Sequence, residues 1–356
     1  MAPNSERRGR EASFQSVGTA VLFRRLIFLS LFFSSSLSLA GIQTGNFTRA
    51  EELYRLGKLR EAEGFYAAVA PGDVNYPPAL LRLGTIYYAT ARATLAEAAF
   101  KKYLKIRESA EVYTLLAGAE FNLKKFEEAY ASAKQAVRLD PHYAKAYTAL
   151  GMIYTAIGDW PDSEAAYRQS LRLNSEDPDT WYMMGRGYFL RNEFAKAKDA
   201  FETALKLSPQ RIRNYENLAL TREVMGDDRG AEEVLRRGVE VNHTLAEPDV
   251  RIVVAYGAFL FKHERNVESL AALREAVKLA PGDSEAHYEL ARVLFRMKQL
   301  ESAAEEGEAA SRTGLPDYKV HYLLSRIYTA MGNTQAAARH ADQAARLADN
   351  PPRNSR

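Results

Sequence analysis

The amino-acid sequence predicts an all-α protein, a solenoid of about nine helix–turn–helix repeats. Three observations predict this fold class: a segment that recurs at nearly constant spacing, small residues at two fixed places in every segment, and prolines between segments. Successive repeats start 34 residues apart, with one spacing of 33 and one of 38, at residues 43, 77, 110, 144, 178, 212, 250, 284 and 318.

Two positions of the repeat carry only Gly, Ala or Ser. The eighth position is occupied by Ala50, Gly84, Ala117, Gly151, Gly185, Ala219, Gly257, Ala291 and Ser325. The twentieth is occupied by Ala62, Ala96, Ala129, Ser163, Ala197, Ala231, Ser269, Ala303 and Ala337. Two helix axes approach closely only where no larger side chain separates them, so we expect the two helices of each repeat to cross here.

Large side chains fill the complementary positions. The seventh position is mostly Leu, the eleventh is often Tyr, as in Tyr154 and Tyr188, and the twenty-fourth carries Phe100 and Phe201. Each repeat can bury this apolar face only by stacking on its neighbours. Proline, which cannot continue a helix, stands between repeats at Pro141, Pro209 and Pro281.

This pattern resembles the tetratricopeptide repeat. The fifth repeat carries the family's small, large and aromatic residues as Trp181, Met184, Gly185, Tyr188, Ala197, Phe201, Ala204 and Pro209. The resemblance extends from residue 43 to about residue 351. It implies a right-handed superhelix whose first helices line an inner groove, and it implies binding rather than catalysis.

Some repeats depart from the pattern. Arg222 replaces the aromatic residue of the sixth repeat, where Gly238 also stands in place of the common Ala, and Gly307 replaces the Phe of the eighth. Four extra residues lengthen the turn at residues 243–248. We expect the solenoid to bend there.

The N-terminal segment, residues 1–40, reads as a leader. Residues 26–39 are an apolar run that follows Arg24 and Arg25, and Ser38 and Ala40 are the small residues that a signal peptidase reads. We expect cleavage near Ala40 and a periplasmic or secreted protein. The alternatives are an anchor formed by residues 26–39, which would be the only membrane contact, and a disordered tail.

The rest of the chain divides into the solenoid, residues 41–351, and a short tail, residues 352–356. Of the 48 basic and 45 acidic residues, five and two lie in residues 1–40, which leaves 43 of each for the remainder. Nucleic-acid binding needs a basic surface, so this balance argues against a nucleic-acid partner. The chain has no cysteine, which removes disulfides, thiolate metal sites and a cysteine nucleophile.

No catalytic constellation is found in the sequence. There is no glycine-rich phosphate loop and no His-Glu-x-x-His run, and the six histidines are scattered. His287 and His321 both occupy the fourth position of their repeats, where packing is a better interpretation than metal binding. We therefore predict no enzyme activity, no cofactor and no metal.

The residues with binding potential lie on the first helices. In the family, positions 2, 5, 9, 12 and 13 of the first helix face the groove, and positions 5, 9 and 12 share one helix face. At these positions the sequence places the candidate residues Tyr182, Arg186, Phe189, Phe261, Lys262, Tyr288, Arg292, Phe295, Tyr322 and Arg326.

Rows of aromatic residues and arginine suit a partner with apolar side chains and carboxylates, because a guanidinium binds a carboxylate in two places and rings supply contact area. We therefore predict a binding scaffold for a protein or an acidic peptide. One alternative is internal: the rings pack on neighbouring helices, and Arg292 pairs with Glu285 or Glu289. The other is an accessory role in polysaccharide assembly or export, with the rings stacked on sugars.

Overall fold

A computed structural model of the chain describes residues 45–314 and 318–349. Within these ranges all regular secondary structure is helical, which confirms the all-α prediction. The predicted leader, residues 1–40, and the predicted tail, residues 352–356, lie outside the described residues. The chain divides between Asp159 and Trp160 into two compact units.

The first compact unit contains α1 over residues 45–55. It continues with α2 (Leu59–Ala67), α3 (Tyr76–Ala89), α4 (Ala93–Leu104), α5 (Ala110–Asn122), α6 (Phe126–Leu139) and α7 (Ala144–Ile157). Consecutive helices pack as antiparallel pairs, α3 on α4 and α5 on α6, and each pair packs on the next.

The second compact unit repeats this arrangement. Its helices are α8 (Trp160–Leu173), α9 (Pro178–Leu190), α10 (Phe194–Leu207), α11 (Ile212–Val224), α12 (Asp228–Asn242), α13 (Val250–Lys262), α14 (Asn266–Leu279), α15 (Ser284–Arg296), α16 (Leu300–Thr313), α17 (Tyr318–Ala330) and α18 (Thr334–Asp349). From α9 onward the helices pair in sequence, and the first helix of each pair also touches the first helix of the next.

The eighth position is where the helices of a pair meet, as the small residues predict. A Cβ atom added to Gly84 would lie 2.3 Å from the ring of Phe100, and one added to Gly185 would lie 2.8 Å from the ring of Phe201. Both rings come from the twenty-fourth position of the same repeat and are fully buried. Glycine therefore makes room for the aromatic ring that fills the crossing.

Every repeat turns between its two helices in the same way. The fifteenth position has a left-handed backbone, with φ between 57° and 82°, at Gly57, Ala91, Lys124, Gly158, Asn192, Gly226, Glu264, Lys298 and Gly332. The following amide donates to the carbonyl at position 11, as Arg92 does to Tyr87 at 2.8 Å, which satisfies the end of the first helix. Four of these nine residues are Gly, which adopts this backbone without steric cost, and the other five are not.

The glycines that break the repeat pattern are compensated by the next repeat. The place of a Cβ on Gly307 is 2.7 Å from the side chain of Leu324, and the place of a Cβ on Gly238 is 2.9 Å from Ile252. Both partners lie in the first helix of the following repeat and are fully buried. Packing density is thus restored across repeats instead of within one.

The lengthened turn after α12 is held by a reciprocal pair of hydrogen bonds. The buried Asn242 accepts from the amide of Asp249 at 2.7 Å and donates to the Asp249 carbonyl at 3.0 Å. This amide side chain replaces backbone partners that a shorter turn would have supplied.

Candidate functional site

The groove face is the surface formed by positions 2, 5, 9, 12 and 13 of the first helices. Its regular feature is the contact of position 12 with positions 9 and 13 of the next repeat. In the first compact unit, a Cβ on Gly118 would lie 2.9 Å from the hydroxyl of Tyr88. In the second, Arg296 donates to the carbonyl of Phe261 at 3.1 Å. Within each compact unit, the ninth and thirteenth residues of a first helix therefore lie over the twelfth residue of the preceding first helix.

Arg292 lies in this register and is internally compensated. Its guanidinium carbon is 4.7 Å from the ring centroid of Phe261 and 5.7 Å from that of Tyr288. Its Nη1 donates to the buried carboxylate of Glu289 at 2.6 Å. One of the two internal partners that the sequence offered, Glu289, is thus the acid that pairs with Arg292.

Arg326 repeats the same geometry one repeat later without the acid. Its guanidinium carbon is 5.2 Å from the ring centroid of Phe295 and 6.0 Å from that of Tyr322, which is 59% exposed. Leu323 occupies the position that Glu289 holds in the preceding repeat. Among residues 45–314 and 318–349, Arg326 has no carboxylate within ion-pair distance. The result is an accessible cation between two rings.

The fifth repeat brings its candidates together less fully. Tyr182 is buried, and the guanidinium of Arg213 covers its ring at 4.4 Å. Phe189 packs edge-on against Phe194, with ring centroids 5.4 Å apart. Arg186 is exposed and makes no ion pair in the described part of the chain. Of the three predicted residues, Arg186 and Phe189 are accessible, whereas the ring of Tyr182 is covered by Arg213.

The seventh repeat contributes a closed ion pair. Lys262 donates to Glu223 of the sixth repeat at 2.7 Å, and this hydrogen bond raises the pKa of Lys262. Phe261 is buried beneath Arg292 and Arg296. Neither predicted residue of this repeat therefore offers an unpaired group to a partner: the Lys262 charge is already paired, and the Phe261 ring is covered.

Three aliphatic residues on the groove face were missed in the sequence analysis. Leu190, Leu220 and Val224 are 57%, 47% and 49% exposed. Leu220 stands at position 9 of its repeat, and Leu190 and Val224 at position 13 of theirs. Their positions in the repeat register are the sequence signal that indicates them, but they are neither charged nor aromatic.

The groove face also carries one half-buried acid. Burial raises the pKa of Glu216, at position 5 of the sixth repeat, and the nearby guanidinium of Arg251 opposes that shift. Arg251 itself is hydrogen-bonded to Asp249. At position 9 the sixth repeat carries Leu220, whereas the ninth carries Arg326, which makes no ion pair with the described residues.

Two family models match this chain, over different ranges of residues. The C-terminal domain of cilia and flagella-associated protein 70, a tetratricopeptide repeat model, matches residues 42–249, more than half of the chain. A tetratricopeptide repeat model matches residues 260–314. The chain belongs to the tetratricopeptide repeat family. The resemblance read from the fifth repeat is therefore confirmed.

Proteins similar in sequence to this tetratricopeptide repeat protein belong to different cellular systems. Anaphase-promoting complex subunit 3 of Schizosaccharomyces pombe is 20% identical over 280 residues, 68% of this chain and 41% of that protein. The human protein O-mannosyl-transferase TMTC1 is 26% identical over 132 residues, 37% of this chain and 15% of that protein. The Escherichia coli cytochrome c-type biogenesis protein CcmH is 31% identical over 120 residues, 33% of each chain. The chain spans less than half the length of each.

Among solved structures, the Cut9–Hcn1 hetero-tetramer of the APC/C is similar in fold. It aligns with a TM-score of 0.53 at 17% identity, and covers 83% of this chain and 57% of that chain. This likeness supports the tetratricopeptide repeat solenoid.

The two histidines at the fourth position of their repeats, His287 and His321, contact residues of neighbouring helices in this tetratricopeptide repeat protein. His287 is buried and contacts the carboxylate of Glu306 at 2.6 Å and the carbonyl of Pro281 at 3.0 Å. His321 stacks on His340. No group of three or more His, Asp or Glu residues suited to a metal ion occurs in the described ranges.

Neither tryptophan presents its ring as a sugar platform on the groove face. Trp160 is the first residue of α8 and lines a small cavity with Glu164 and Tyr188. Trp181 donates from its indole nitrogen to the carbonyl of Ser175 at 2.9 Å. The alternative role in glycan handling gains no support from these positions.

In the described residues, no helix is both long and apolar enough to cross a membrane.

Proposed function

We propose that this tetratricopeptide repeat protein is a non-catalytic scaffold that binds a protein or peptide through its groove face. The observation that carries the proposal is Arg326, an accessible guanidinium held between Phe295 and Tyr322 with no acid of its own among the described residues. A carboxylate on a partner would supply that acid, because charge-assisted hydrogen bonds are the strong ones. The rings beside it would bury apolar side chains.

The test is selection of peptides from a random display library on the full chain, followed by affinity measurements. We expect Arg326→Gln to weaken the selected peptides several-fold or more, with the loss shrinking as salt rises. Arg236→Gln is the matched control, since Arg236 is an exposed arginine on the second helix α12.

Three results would overturn the proposal. One is a display selection in which no peptide sequence is enriched more strongly on the native protein than on the Arg326→Gln protein. Another is equal binding by all three proteins. The last is an Arg326→Gln protein that melts earlier yet binds unchanged, which would make Arg326 an internal strut.

The proposed place of action is outside the cytoplasm, as a periplasmic or secreted protein. This part rests on the apolar run of residues 26–39 and the cleavage signal at Ala40. N-terminal sequencing of the protein from its native host should begin at Gly41. A soluble or membrane-bound protein that begins at Met1 would contradict cleavage.

A further inference from the structure

The exposed aliphatic residues form an apolar end of the groove face. By the register that places Arg292 and Arg296 over Phe261, Leu220 and Val224 belong over Phe189. Phe189 is fixed from below by its edge-on contact with Phe194. Leu220 and Val224 nevertheless remain about half exposed, so this end has apolar area that the fold does not use.

The middle of the groove face has little to offer a ligand. Lys262 is paired with Glu223 at 2.7 Å. Arg292 is paired with Glu289 at 2.6 Å. Each of these cations is already neutralised by a neighbouring carboxylate, so it attracts an incoming anionic group less than an unpaired cation does.

The far end, at α17, is cationic. Arg326 lies between the rings of Phe295 and Tyr322, and no carboxylate of the described part of the chain pairs with it. An anionic group is therefore attracted at this end and an apolar group at the other. The two ends lie three repeats apart on one compact unit, from Leu220 to Arg326.

We propose that the partner segment is an extended peptide that carries an aliphatic side chain and a carboxylate about eight residues apart. Packed neighbouring helices lie about 8–10 Å apart, so three repeats span about 24–30 Å. An extended chain advances about 3.3 Å per residue, so this span takes about seven to nine residues. The inference rests on the proposed function, because it assigns a chemistry to the same groove face.

The experiment uses synthetic fluorescein-labelled peptides of Ser, Gly and Thr that carry one Leu-Leu pair and one Glu-Glu pair. The pairs are separated by four, eight or twelve residues, in both chain directions, and binding is followed by fluorescence anisotropy. We expect the separation of eight to bind several-fold tighter than the other two, in one direction. Replacing Glu-Glu by Gln-Gln should remove most of the advantage.

Protein variants locate the two ends. Arg326→Gln should abolish the difference between the Glu and Gln peptides, and Leu220→Ser should abolish the difference between Leu-Leu and Ser-Ser peptides. Arg236→Gln and Leu279→Ser, exposed residues on the second helices α12 and α14, should change neither.

Affinity that is independent of the separation, or greatest at four or twelve, would overturn this inference. Display-selected peptides that depend on Arg326 but show no aliphatic–acid spacing would also overturn it and leave the proposed function standing. If the selected peptides bind regardless of Arg326, both fail.

Discussion

Arg292 Nη1 lies 2.6 Å from both carboxylate oxygens of Glu289, three residues earlier on the same helix. Glu289 is buried, whereas the Arg292 side chain is about one-third exposed. One repeat later Leu323 stands in place of Glu289, and within residues 45–314 and 318–349 Arg326 has no acidic partner. The difference between Glu289 and Leu323 thus separates an arginine that is ion-paired from one that, among the described residues, is not.

Glu289→Leu should therefore leave Arg292 without its ion-pair partner and make its guanidinium available to a ligand, as that of Arg326 is. We expect the acidic peptides selected on the native protein to bind several-fold tighter to this variant at low salt, and the gain to vanish at high salt. Anisotropy titrations at two salt concentrations measure this. Unchanged affinity would mean that Arg292 is not accessible to a partner, even without its acid.

The same substitution at two helical glycines should have opposite effects. Gly84→Ala should lower the free energy of unfolding by about 1–3 kcal/mol, because its Cβ would collide with Phe100 at 2.3 Å. Gly64→Ala should raise it by about 0.5–1 kcal/mol, because its Cβ meets nothing within 4 Å and alanine favours a helix.

Chemical denaturation of both variants, with hydrogen exchange, checks this pair. Exchange protection should fall near α3 and α4 in Gly84→Ala and persist in distant repeats, since contacts in a repeat array join neighbours only. Uniform loss of protection along the whole chain would contradict the array.

Asn214 is fully buried on α11, and neither of its amide atoms has a hydrogen-bond partner among the described residues. Such a group costs about 1–3 kcal/mol. Equivalent positions in other repeats hold Ile252 and Val320. We expect Asn214→Val to raise the free energy of unfolding by about 1 kcal/mol, measured by chemical denaturation.

Thr180 is the matched control at the same position of the preceding repeat. Its hydroxyl is bonded to Asp177 at 2.5 Å and to Ser170 at 3.2 Å. Thr180→Val should destabilise, because it leaves these partners unsatisfied. If Asn214→Val also destabilises, the amide is held by a buried water.

Glu97 should make the first compact unit sensitive to acid. Burial acts to raise its pKa, but hydrogen bonds from Lys101 at 2.6 Å and Lys125 at 2.8 Å outweigh burial and hold the pKa below its usual range. The stabilisation is therefore complete above the unfolded pKa of about 4.3 and is lost as the pH falls through the lower folded value.

Glu97→Gln should cost about 1 kcal/mol at pH 7, a modest value because both lysines are partly solvated. The difference from the native protein should shrink below about pH 4. Glu61→Gln, which removes an exposed acid, should have little effect at any pH. Thermal melts between pH 3 and pH 7 measure both, and a constant difference for Glu97→Gln would contradict the assignment.

The last helix pair should loosen in mild acid. His340 is buried among Glu308 of α16, His321 and Tyr328 of α17, and Arg339 of its own helix. Burial lowers the pKa of His340, and Glu308 only partly opposes the shift. The unfolded chain therefore takes up a proton more readily, so stability is complete above about pH 6.5 and declines below it.

Hydrogen exchange of α18 between pH 7.5 and 5 checks this, after correction for the intrinsic rate. Protection should fall with pH in the native protein and stay level in His340→Gln. The exposed His142→Gln should behave as the native protein does. Equal pH dependence in all three would show that His340 does not titrate in this range.

The architecture was predictable because it depends on a pattern that recurs nine times. Gly84 and Gly185 can lie only where two helices touch, so their spacing predicted the pairing. The left-handed turns at Ala91 and Glu264 were not predictable from residue type, since both residues disfavour that backbone. The repeat register imposes it on them.

The sequence by itself determined the helix pairs and their order, because small and large side chains at fixed spacing specify how neighbouring helices pack. Only the tertiary structure decided which of the candidate residues on the groove face remain available. Arg292 and Arg326 occupy the same position of their repeats, but Arg292 is paired with Glu289, whereas no carboxylate of the described residues pairs with Arg326. Tyr182 is covered by Arg213 of the next repeat, whereas Tyr322 is exposed. Availability depends on contacts between repeats, and no single repeat encodes them.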